Sequence, residues 1–290
     1  MKPIRKAVVT AAAPNQHHLP LQQLVDRDGR EKTALAMFLE QSAQAGIEEI
    51  CVVIRPGDED AYRGAAAAAG DSAAIGFVVQ PSADGYADAI LRAKDFVGDD
   101  PFLHSVGDHV YLSTSEKSCV AQLIDIATAR RGSVSAVQPT RENNLPYFGV
   151  VSGPHVGRED HLYEVQKVVE KPTPTRAEQE LVTPGLRSGY YLGFFGIHVL
   201  APEVMPLLEQ VASRPQTNGH GRPTLSDALA MLPSRGTYLA AALDGTRYNL
   251  GAKYGLLRAQ LAISLAGQDR DQILSELVDL MATRTLGASS

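Results

Sequence analysis

The chain has 290 residues, of which 44% are hydrophobic and 21% charged, and its formal net charge is −6. This length is enough to bury a sizeable core, and the composition is ordinary for a globular protein. The negative charge balance argues against a nucleic-acid surface, and no window holds the roughly 18 apolar residues that a membrane span needs.

The first half of the chain alternates between short apolar runs and amphipathic stretches. The apolar runs predict buried strands at residues 6–13, 49–54, 75–80, 102–107 and 133–138. The amphipathic stretches predict helices at residues 33–45, 84–96 and 113–131, with Ser82 or Asp84 as the N-cap of the second. Strands separated by helices indicate a Rossmann-like α/β fold, with a mixed, mainly parallel central sheet and helices on both faces.

The second half is richer in strands and ends in helices. Strands are predicted at residues 148–152, 163–169, 190–199 and 238–243, and short helices at residues 202–211 and 225–232. Proline-containing stretches predict loops at residues 144–146, 172–174 and 215–223. Residues 253–266 and 271–282 predict a helical hairpin. We therefore expect one α/β domain over residues 1–265 and a C-terminal helical tail over residues 253–290.

The cysteines and the N-terminal residues indicate the cellular compartment in which the protein is expected. Cys51 lies in the apolar run I-C-V-V-I and Cys119 in an apolar helical pattern, so both are expected to be buried thiols. Residues 1–5 are basic, but the apolar stretch after them is too short for a signal peptide. A cytoplasmic location is therefore expected.

Residues 80–111 combine a glycine-containing turn with a carboxylate at a strand end. The turn reads Q-P-S-A-D-G-Y, and Gly85 would let the backbone approach a ligand closely. Asp108 follows the predicted strand at 102–107, and the carboxyl ends of strands are where α/β folds bind ligands. A plain strand-to-helix turn and a helix-capping Asp remain the alternative interpretations.

Four segments, taken in order, resemble the sugar-1-phosphate nucleotidylyltransferases, in particular the bacterial glucose-1-phosphate uridylyltransferases and thymidylyltransferases. They read K-A-V-V-T-A-A-A, then Q-P-S-A-D-G-Y-A-D-A with G-D-H-V, then V-V-E-K-P, and finally T-L-S-D-A-L with Y-N-L-G. The resemblance implies transfer of UMP or dTMP from a nucleoside triphosphate to a sugar-1-phosphate, with glucose-1-phosphate favoured, release of pyrophosphate, and Mg²⁺ as cofactor. It implies a nucleotide-binding half at residues 1–140 and a sugar-binding half at residues 141–252.

The resemblance also assigns residues to the nucleotide. Gln80 matches a glutamine that hydrogen-bonds the pyrimidine edge, and Gly85 matches a glycine beside the base. Ala12 and Ala13 stand in the N-terminal phosphate loop. The expected partners are accordingly a small-molecule nucleotide and a sugar phosphate, with no nucleic acid and no membrane.

Sugar and metal contacts follow from the same resemblance. Gly149, Glu170 and Lys171 are expected at the sugar phosphate, with Glu170 on hydroxyl groups and Lys171 on the phosphate, where it would be catalytic. The alternative interpretation of Glu170 and Lys171 is an exposed pair of charged residues at the point where the chain leaves an edge strand. Asp108 and Asn249 are expected to bind the metal, and Asp108 is also expected to be catalytic.

The N-terminal loop departs from the family pattern. Where the family has G-x-G-T-R, this chain reads A-P-N-Q-H, so Pro14 removes an N–H donor and His17 takes the position of the catalytic arginine. Asn249 likewise replaces an aspartate, which removes one negative charge from the metal site. Replacements for the lost cations could come from the nearby basic residues, which are His17, His18, Arg27, Arg30 and Lys32.

These departures leave three functions open. The first is an active nucleotidylyltransferase, and the second is an inactive relative that binds a nucleotide or nucleotide-sugar as a sensor or partner subunit. The third is a glycosyltransferase, which is disfavoured because G-D-H-V supplies one aspartate rather than the Asp-x-Asp pair of those enzymes. Self-association is also left open, with the helical tail available as an interface.

Overall fold

The computed structural model describes residues 1–70, 73–157, 159–214 and 222–286. The loop predicted over residues 215–223 lies outside these ranges except for its last two residues, and the end of the tail, residues 287–290, also lies outside them. The strands are β1 (Lys6–Thr10), β2 (Gln23–Val25), β3 (Glu31–Thr33), β4 (Glu49–Ile54), β5 (Ala74–Val79), β6 (Phe102–Val106), β7 (His109–Ser113), β8 (Val134–Arg141), β9 (Gly149–Ser152), β10 (His155–Val156), β11 (Glu159–Glu164), β12 (Lys167–Glu170), β13 (Tyr190–Leu200), β14 (Leu239–Ala242) and β15 (Gly245–Asn249).

Helices connect most of these strands. The α-helices are α1 (Ala34–Gln44), α2 (Glu59–Ala67), α3 (Tyr86–Leu91), α4 (Lys94–Val97), α5 (Cys119–Arg130), α6 (Pro174–Glu180), α7 (Val204–Ala212), α8 (Leu225–Leu229), α9 (Gly255–Leu265) and α10 (Arg270–Leu286). Short 3₁₀ helices lie at Leu19–Leu21, Glu142–Tyr147 and Leu232–Ser234. The polar residue Thr33 begins α1 as its N-cap, because its side chain accepts a hydrogen bond from the Ala36 N–H.

The predicted mixed sheet with helices on both faces is confirmed. Within the described residues it has 11 strands, in the order β10-β11-β14-β8-β13-β6-β1-β4-β5, with β9 and β12 branching from β13. Strands β6, β1, β4 and β5 pair in parallel, whereas β13 runs antiparallel to both β6 and β8. The parallel strands place their carboxyl ends along one edge, where a ligand site is expected.

Alternating side chains divide the apolar core between the two faces of this sheet. On β1, Ala7 and Val9 join the core under α1, α2 and α5, whereas Val8 joins the core under α3, α7 and α8. The strand period of two residues requires this division. Strands buried on both faces have few polar positions, which is why they read as mainly apolar runs in the sequence.

Several predicted elements differ from the structure. The helix predicted over residues 84–96 divides into α3 and α4, and α3 begins at Gly85 without a side-chain cap, so the Ser82 and Asp84 cap prediction is wrong. The helix predicted from residue 113 begins only at residue 119. Residue 113 ends β7, which pairs with β15 outside the main sheet, and residues 114–118 form neither helix nor strand. The strand predicted over residues 163–169 is interrupted between β11 and β12.

The helical tail begins as part of the folded domain. Ala259 and Ile263 of α9 are buried against Leu24 of the β2–β3 hairpin, for which no strands were predicted. Beyond α9, Val278 and Leu280 of α10 expose more than half of their surface. In the described ranges no helix combines the length and the apolarity that crossing a bilayer requires.

Candidate active site

A cleft of about 430 Å³ lies at the carboxyl edge of the sheet, between the ends of β1, β5 and β6 and the start of α8. It brings together nearly all the residues that the sequence placed in the site. The predicted residues that line it are Ala12, Ala13, Gln80, Gly85, Asp108, Gly149, Glu170, Lys171 and Asn249. His17 does not line this cleft.

Asp108 and Asn249 are brought together by the β7–β15 ribbon. The two strands are antiparallel, with Asn249 opposite His109, and the Leu250 N–H donates to the Asp108 carbonyl at 2.9 Å. The ribbon therefore places both proposed metal-binding side chains at one end of the cleft.

The Asp108 carboxylate is held in its ionised form. His109 Nδ1 lies 2.9 Å from Asp108 Oδ1. Burial by itself would raise the pKa of the carboxyl, but the His109 ring and the Lys171 ammonium outweigh burial and hold the pKa below its ordinary value of 3.8. At neutral pH the cleft therefore presents a negative charge where a cation is expected.

The side-chain oxygen of Asn249 is used inside the protein. Oδ1 accepts hydrogen bonds from the Gly251 N–H at 2.8 Å and from the Ala252 N–H at 3.1 Å. This closes the turn that follows β15 in the manner of an Asx turn. The remaining amide group, Nδ2, is a donor and cannot bind a metal ion.

Gln80 presents an acceptor rather than a donor to the cleft. It is 5% exposed, and its Nε2 donates both hydrogens within the protein, to the Gly85 carbonyl at 3.1 Å and to Asp88 Oδ2 at 2.8 Å. Asp88 is fixed in turn by Arg92. The Oε1 acceptor of Gln80 is thus the group left for a ligand.

Gly85 is required by the packing of the protein itself. Its φ is +120°, and a Cβ at this position would lie 2.7 Å from the Pro223 carbonyl oxygen. The segment before α8 therefore packs directly on the turn that opens α3. The approach of a ligand to Gly85 stays a prediction, whereas the group that lies against it in the structure is the Pro223 backbone.

We expect Gly85→Ala to lower the free energy of unfolding by about 1–3 kcal/mol, because it combines an unfavourable φ with a backbone collision. Gly64→Ala is the matched control. Gly64 lies within α2 with nothing near the position of a Cβ, so alanine there is expected to raise stability by about 0.5–1 kcal/mol. Urea unfolding of both variants measures the difference, and equal stabilities would contradict the packing argument.

Glu170 ends β12 and Lys171 follows it, and both line the cleft. Glu170 pairs with Gly149 of β9, and its Oε2 accepts a hydrogen bond from Ser226 Oγ at 2.5 Å. Lys171 has φ +43°, a left-handed conformation that is uncommon for a residue with a side chain. Its N–H donates to the Phe148 carbonyl at 3.2 Å. Such conformations concentrate at functional sites, where the surrounding structure holds them.

The N-terminal loop is a closed turn instead of an open phosphate cradle. The N–H groups of Gln16 and His17 both donate to the Ala13 carbonyl, at 3.1 Å and 2.9 Å. Pro14 has no N–H to offer. The loop therefore directs fewer donors at the cleft than a glycine-rich loop would.

The basic residues considered as replacements lie elsewhere. His17 Nδ1 pairs with Asp58 Oδ2 at 2.8 Å, and Lys32 lies 2.9 Å from Asp26 and 2.7 Å from Glu40. The candidates that do not line the cleft are His17, His18, Arg27, Arg30 and Lys32. The placement of these five residues gives no support to compensation from within this segment.

Comparison with known proteins agrees with this geometry. The family model described as nucleotidyl transferase matches residues 22–244, which is more than half of the chain. The chain belongs to the nucleotidyl transferase family. This confirms the resemblance drawn from the four sequence segments.

Relatives and solved structures of nucleotidyl transferases extend the match to nearly the whole chain. The UTP–glucose-1-phosphate uridylyltransferase YngB of Bacillus subtilis is 27% identical over 98% of both chains. A UTP–glucose-1-phosphate uridylyltransferase of Streptococcus pneumoniae is 27% identical over 96% of both. A UDP-glucose pyrophosphorylase solved with UDP-glucose shares the fold, with a TM-score of 0.73, 20% identity, and coverage of 89% of this chain and 98% of that one. A UTP-bound enzyme from Acinetobacter baumannii has a TM-score of 0.71, 21% identity, and coverage of 95% and 98%.

Sequence reasoning missed part of this nucleotidyl transferase cleft. Tyr86 lines it and its hydroxyl lies 2.6 Å from His104 Nε2. Burial lowers the pKa of His104 to about 4, so the ring is neutral, and its Nδ1 lies 3.1 Å from the Val8 carbonyl. The tautomer with Nδ1–H is therefore favoured, and Tyr86 donates to Nε2. A histidine in the apolar run F-L-H-S-V was the sequence signal for this pair.

Phe148 also lines the cleft and was not predicted from the sequence. Its ring covers a buried cation. The Arg247 guanidinium carbon lies 3.5 Å from the centre of the Phe148 ring. Its nitrogens donate to the Gly193 carbonyl at 3.1 Å and to Thr140 Oγ1 at 3.1 Å. Burial lowers the pKa of Arg247 to about 9, so the guanidinium remains charged at neutral pH. It adds positive potential beneath the side of the cleft that Phe148 lines.

Proposed function

We propose that this protein transfers UMP from UTP to glucose-1-phosphate and releases pyrophosphate. One observation carries the proposal: a single cleft holds the ionised Asp108 carboxylate, the Lys171 cation and the Gln80 acceptor. Nucleotidyl transfer needs two anionic reactants aligned and their charge neutralised, with little covalent work by the protein. The names of the relatives support the choice of UTP and glucose-1-phosphate.

The nucleotide is recognised through Gln80 in this proposal. Uracil and thymine carry an N3–H donor, whereas cytosine has a bare acceptor nitrogen at that position. The free Oε1 of Gln80 would accept the N3–H of uracil or thymine and would repel the cytosine edge. UTP and dTTP therefore remain to be separated by experiment, whereas CTP is expected to bind poorly.

In this proposal the sugar phosphate is held by Glu170, which ends β12, and by Lys171, which follows it. Lys171 would neutralise the phosphate whose oxygen attacks the α-phosphorus of UTP. Glu170, fixed by the hydroxyl of Ser226, would accept hydrogen bonds from sugar hydroxyl groups. Gly149 keeps this corner open, since a Cβ there would lie within 3.0 Å of the Glu170 carboxylate.

A magnesium ion fits the donor set at Asp108. The described residues contain no group of three or more His, Cys, Asp or Glu side chains that could hold a metal without the substrate. One ionised carboxylate suits Mg²⁺, which commonly takes one or two protein carboxylates and completes its shell with phosphates and water. When bound, the ion would supply charge neutralisation at the phosphates.

Asn249→Asp is expected to tighten Mg²⁺-dependent UTP binding about tenfold. One aspartate oxygen would keep the bonds to the Gly251 and Ala252 N–H groups, and the other would replace the Nδ2 donor with an anionic ligand. Calorimetric titration of UTP with and without Mg²⁺ measures the effect. An equal change in the absence of Mg²⁺, or no change, would show that residue 249 does not face the metal.

The N-terminal loop favours a second candidate, a non-catalytic protein that binds nucleotide or nucleotide-sugar. Its internal Ala13 turn and the placement of His17 on Asp58 leave less to hold a leaving pyrophosphate than a glycine-rich loop with an arginine would. Such a protein would keep the Gln80 and Glu170 contacts and lack turnover.

One assay separates the two candidates. The purified protein is incubated with Mg²⁺, glucose-1-phosphate and UTP, dTTP or CTP, and pyrophosphate release is followed beside equilibrium binding of each nucleotide. The proposed transferase releases pyrophosphate with UTP and glucose-1-phosphate together. Binding without release would support the second candidate, and the absence of both would contradict the assignment of this cleft.

Location and assembly stay predictions. The cytoplasm is expected as the compartment because the reaction consumes UTP. We propose self-association through the tail, which is supported by the exposed apolar side chains of α10, among them Val278 and Leu280.

A further inference from the structure

A recess of about 270 Å³ adjoins the cleft on the side of the N-terminal loop. It shares Ala12, Pro14 and Gln80 with the cleft, so the two spaces are adjacent. The one charged residue on its wall is Arg55, which follows β4 at the carboxyl edge of the sheet.

Arg55 is a cation held against the N-terminal loop with its charge uncompensated. Its Nη1 donates to the Pro14 carbonyl at 3.1 Å, and it forms no ion pair with any described residue. The carboxylates nearest in sequence are engaged, Asp58 with His17 and Glu59 with the Gly57 N–H at 2.7 Å. One guanidinium N–H of the five is thus used, and the other four have no hydrogen-bond partner among the described residues.

We propose that Arg55 binds the β- and γ-phosphates of the nucleoside triphosphate, and therefore the leaving pyrophosphate. In this role it replaces the arginine that the family carries at the position of His17. The inference rests on the proposed function, since it assigns part of the same substrate. It places the fixed charge on the β4 strand end instead of on the loop.

The chemistry of the two side chains explains why Arg55 suits the task better than His17. A guanidinium stays protonated at all physiological pH values and matches two phosphate oxygens with parallel N–H groups. A histidine is charged only in part near neutrality, and His17 is already paired with Asp58. Because the Pro14 carbonyl fixes Arg55, little side-chain freedom is lost when phosphate binds.

Binding of three probes tests the inference: UTP, UMP and inorganic pyrophosphate, each titrated by calorimetry with Mg²⁺. Arg55→Ala is expected to weaken the binding of UTP and of pyrophosphate about tenfold, equivalent to about 1.4 kcal/mol. The affinity for UMP should stay unchanged. Arg55→Lys should recover part of the loss, since it restores charge without the fork. Arg63→Ala, an exposed arginine on α2, is the matched control and should change none of the three.

Each other result overturns the inference. Equal weakening of UMP and UTP would place Arg55 at the base or the α-phosphate, and unchanged UTP and pyrophosphate affinities would remove it from the ligand. If the unmodified protein binds pyrophosphate but not UTP, the proposed function fails, and the pyrophosphate titration of Arg55→Ala still decides the role of Arg55. Binding of neither probe by the unmodified protein overturns both. Arg55→Lys guards against misfolding, because lysine can keep the bond to Pro14.

Discussion

Asp108→Asn is expected to reduce UTP-dependent pyrophosphate release by at least about 100-fold, because it removes the ionised carboxylate at the proposed metal position. The amide keeps the size of the side chain and an acceptor for the His109 ring, so the fold should survive. The pKa of Asp108 lies below its ordinary value of 3.8, so the carboxylate is charged throughout the neutral and mildly acidic range. The loss should therefore be independent of pH across that range.

Asp125→Asn is the matched control for this substitution. Asp125 lies exposed on α5, paired with Lys117, and the same chemical change there should leave turnover unaltered. The decisive readout besides turnover is the Mg²⁺ dependence of UTP binding, which should disappear in Asp108→Asn. If UTP binding remained dependent on Mg²⁺ to the same degree, Asp108 would not be a metal ligand.

The central parallel strands could be predicted because they are buried on both faces. The run E-I-C-V-V-I has no polar interruption, and β4 occupies the six residues predicted for it. Gln80 and Asp108 were located from the apolar runs that precede them. Gln80 directly follows β5, and Asp108 lies two residues after the end of β6. Position at a strand end is encoded locally, whereas the partner of a side chain is not.

The parts that could not be predicted depend on pairing between distant residues. Strand β15 reads G-T-R-Y-N, which has no apolar alternation, and it exists because β7 lies beside it. His17 was placed in the site by its sequence position, yet it contacts a carboxylate 41 residues away, at the start of α2. Gln80 lines the cleft, as its sequence position predicted. Only the structure shows that both hydrogens of its amide group are already donated to Gly85 and Asp88.

Lys171→Met is expected to lower kcat about 100-fold or more, because it removes the cation proposed to neutralise the sugar phosphate in the transition state. Methionine keeps most of the side-chain length, and the left-handed backbone at this residue is equally strained with either side chain, so the fold should change little. A loss confined to KM for glucose-1-phosphate would mean that Lys171 binds the ground state and transition state equally.

Lys167→Met supplies the comparison from the strand that leads to Lys171. Lys167 begins β12, is exposed and lies 3.2 Å from Glu180, away from the cleft, so its substitution should leave both kcat and KM unaltered. Lys171→Arg separates charge from shape: a guanidinium retains the charge, and partial recovery would show that electrostatic neutralisation is what the reaction needs. If Lys171→Met kept full turnover, the phosphate would have to be neutralised from Arg222, the other Lys or Arg side chain that lines the cleft within the described ranges.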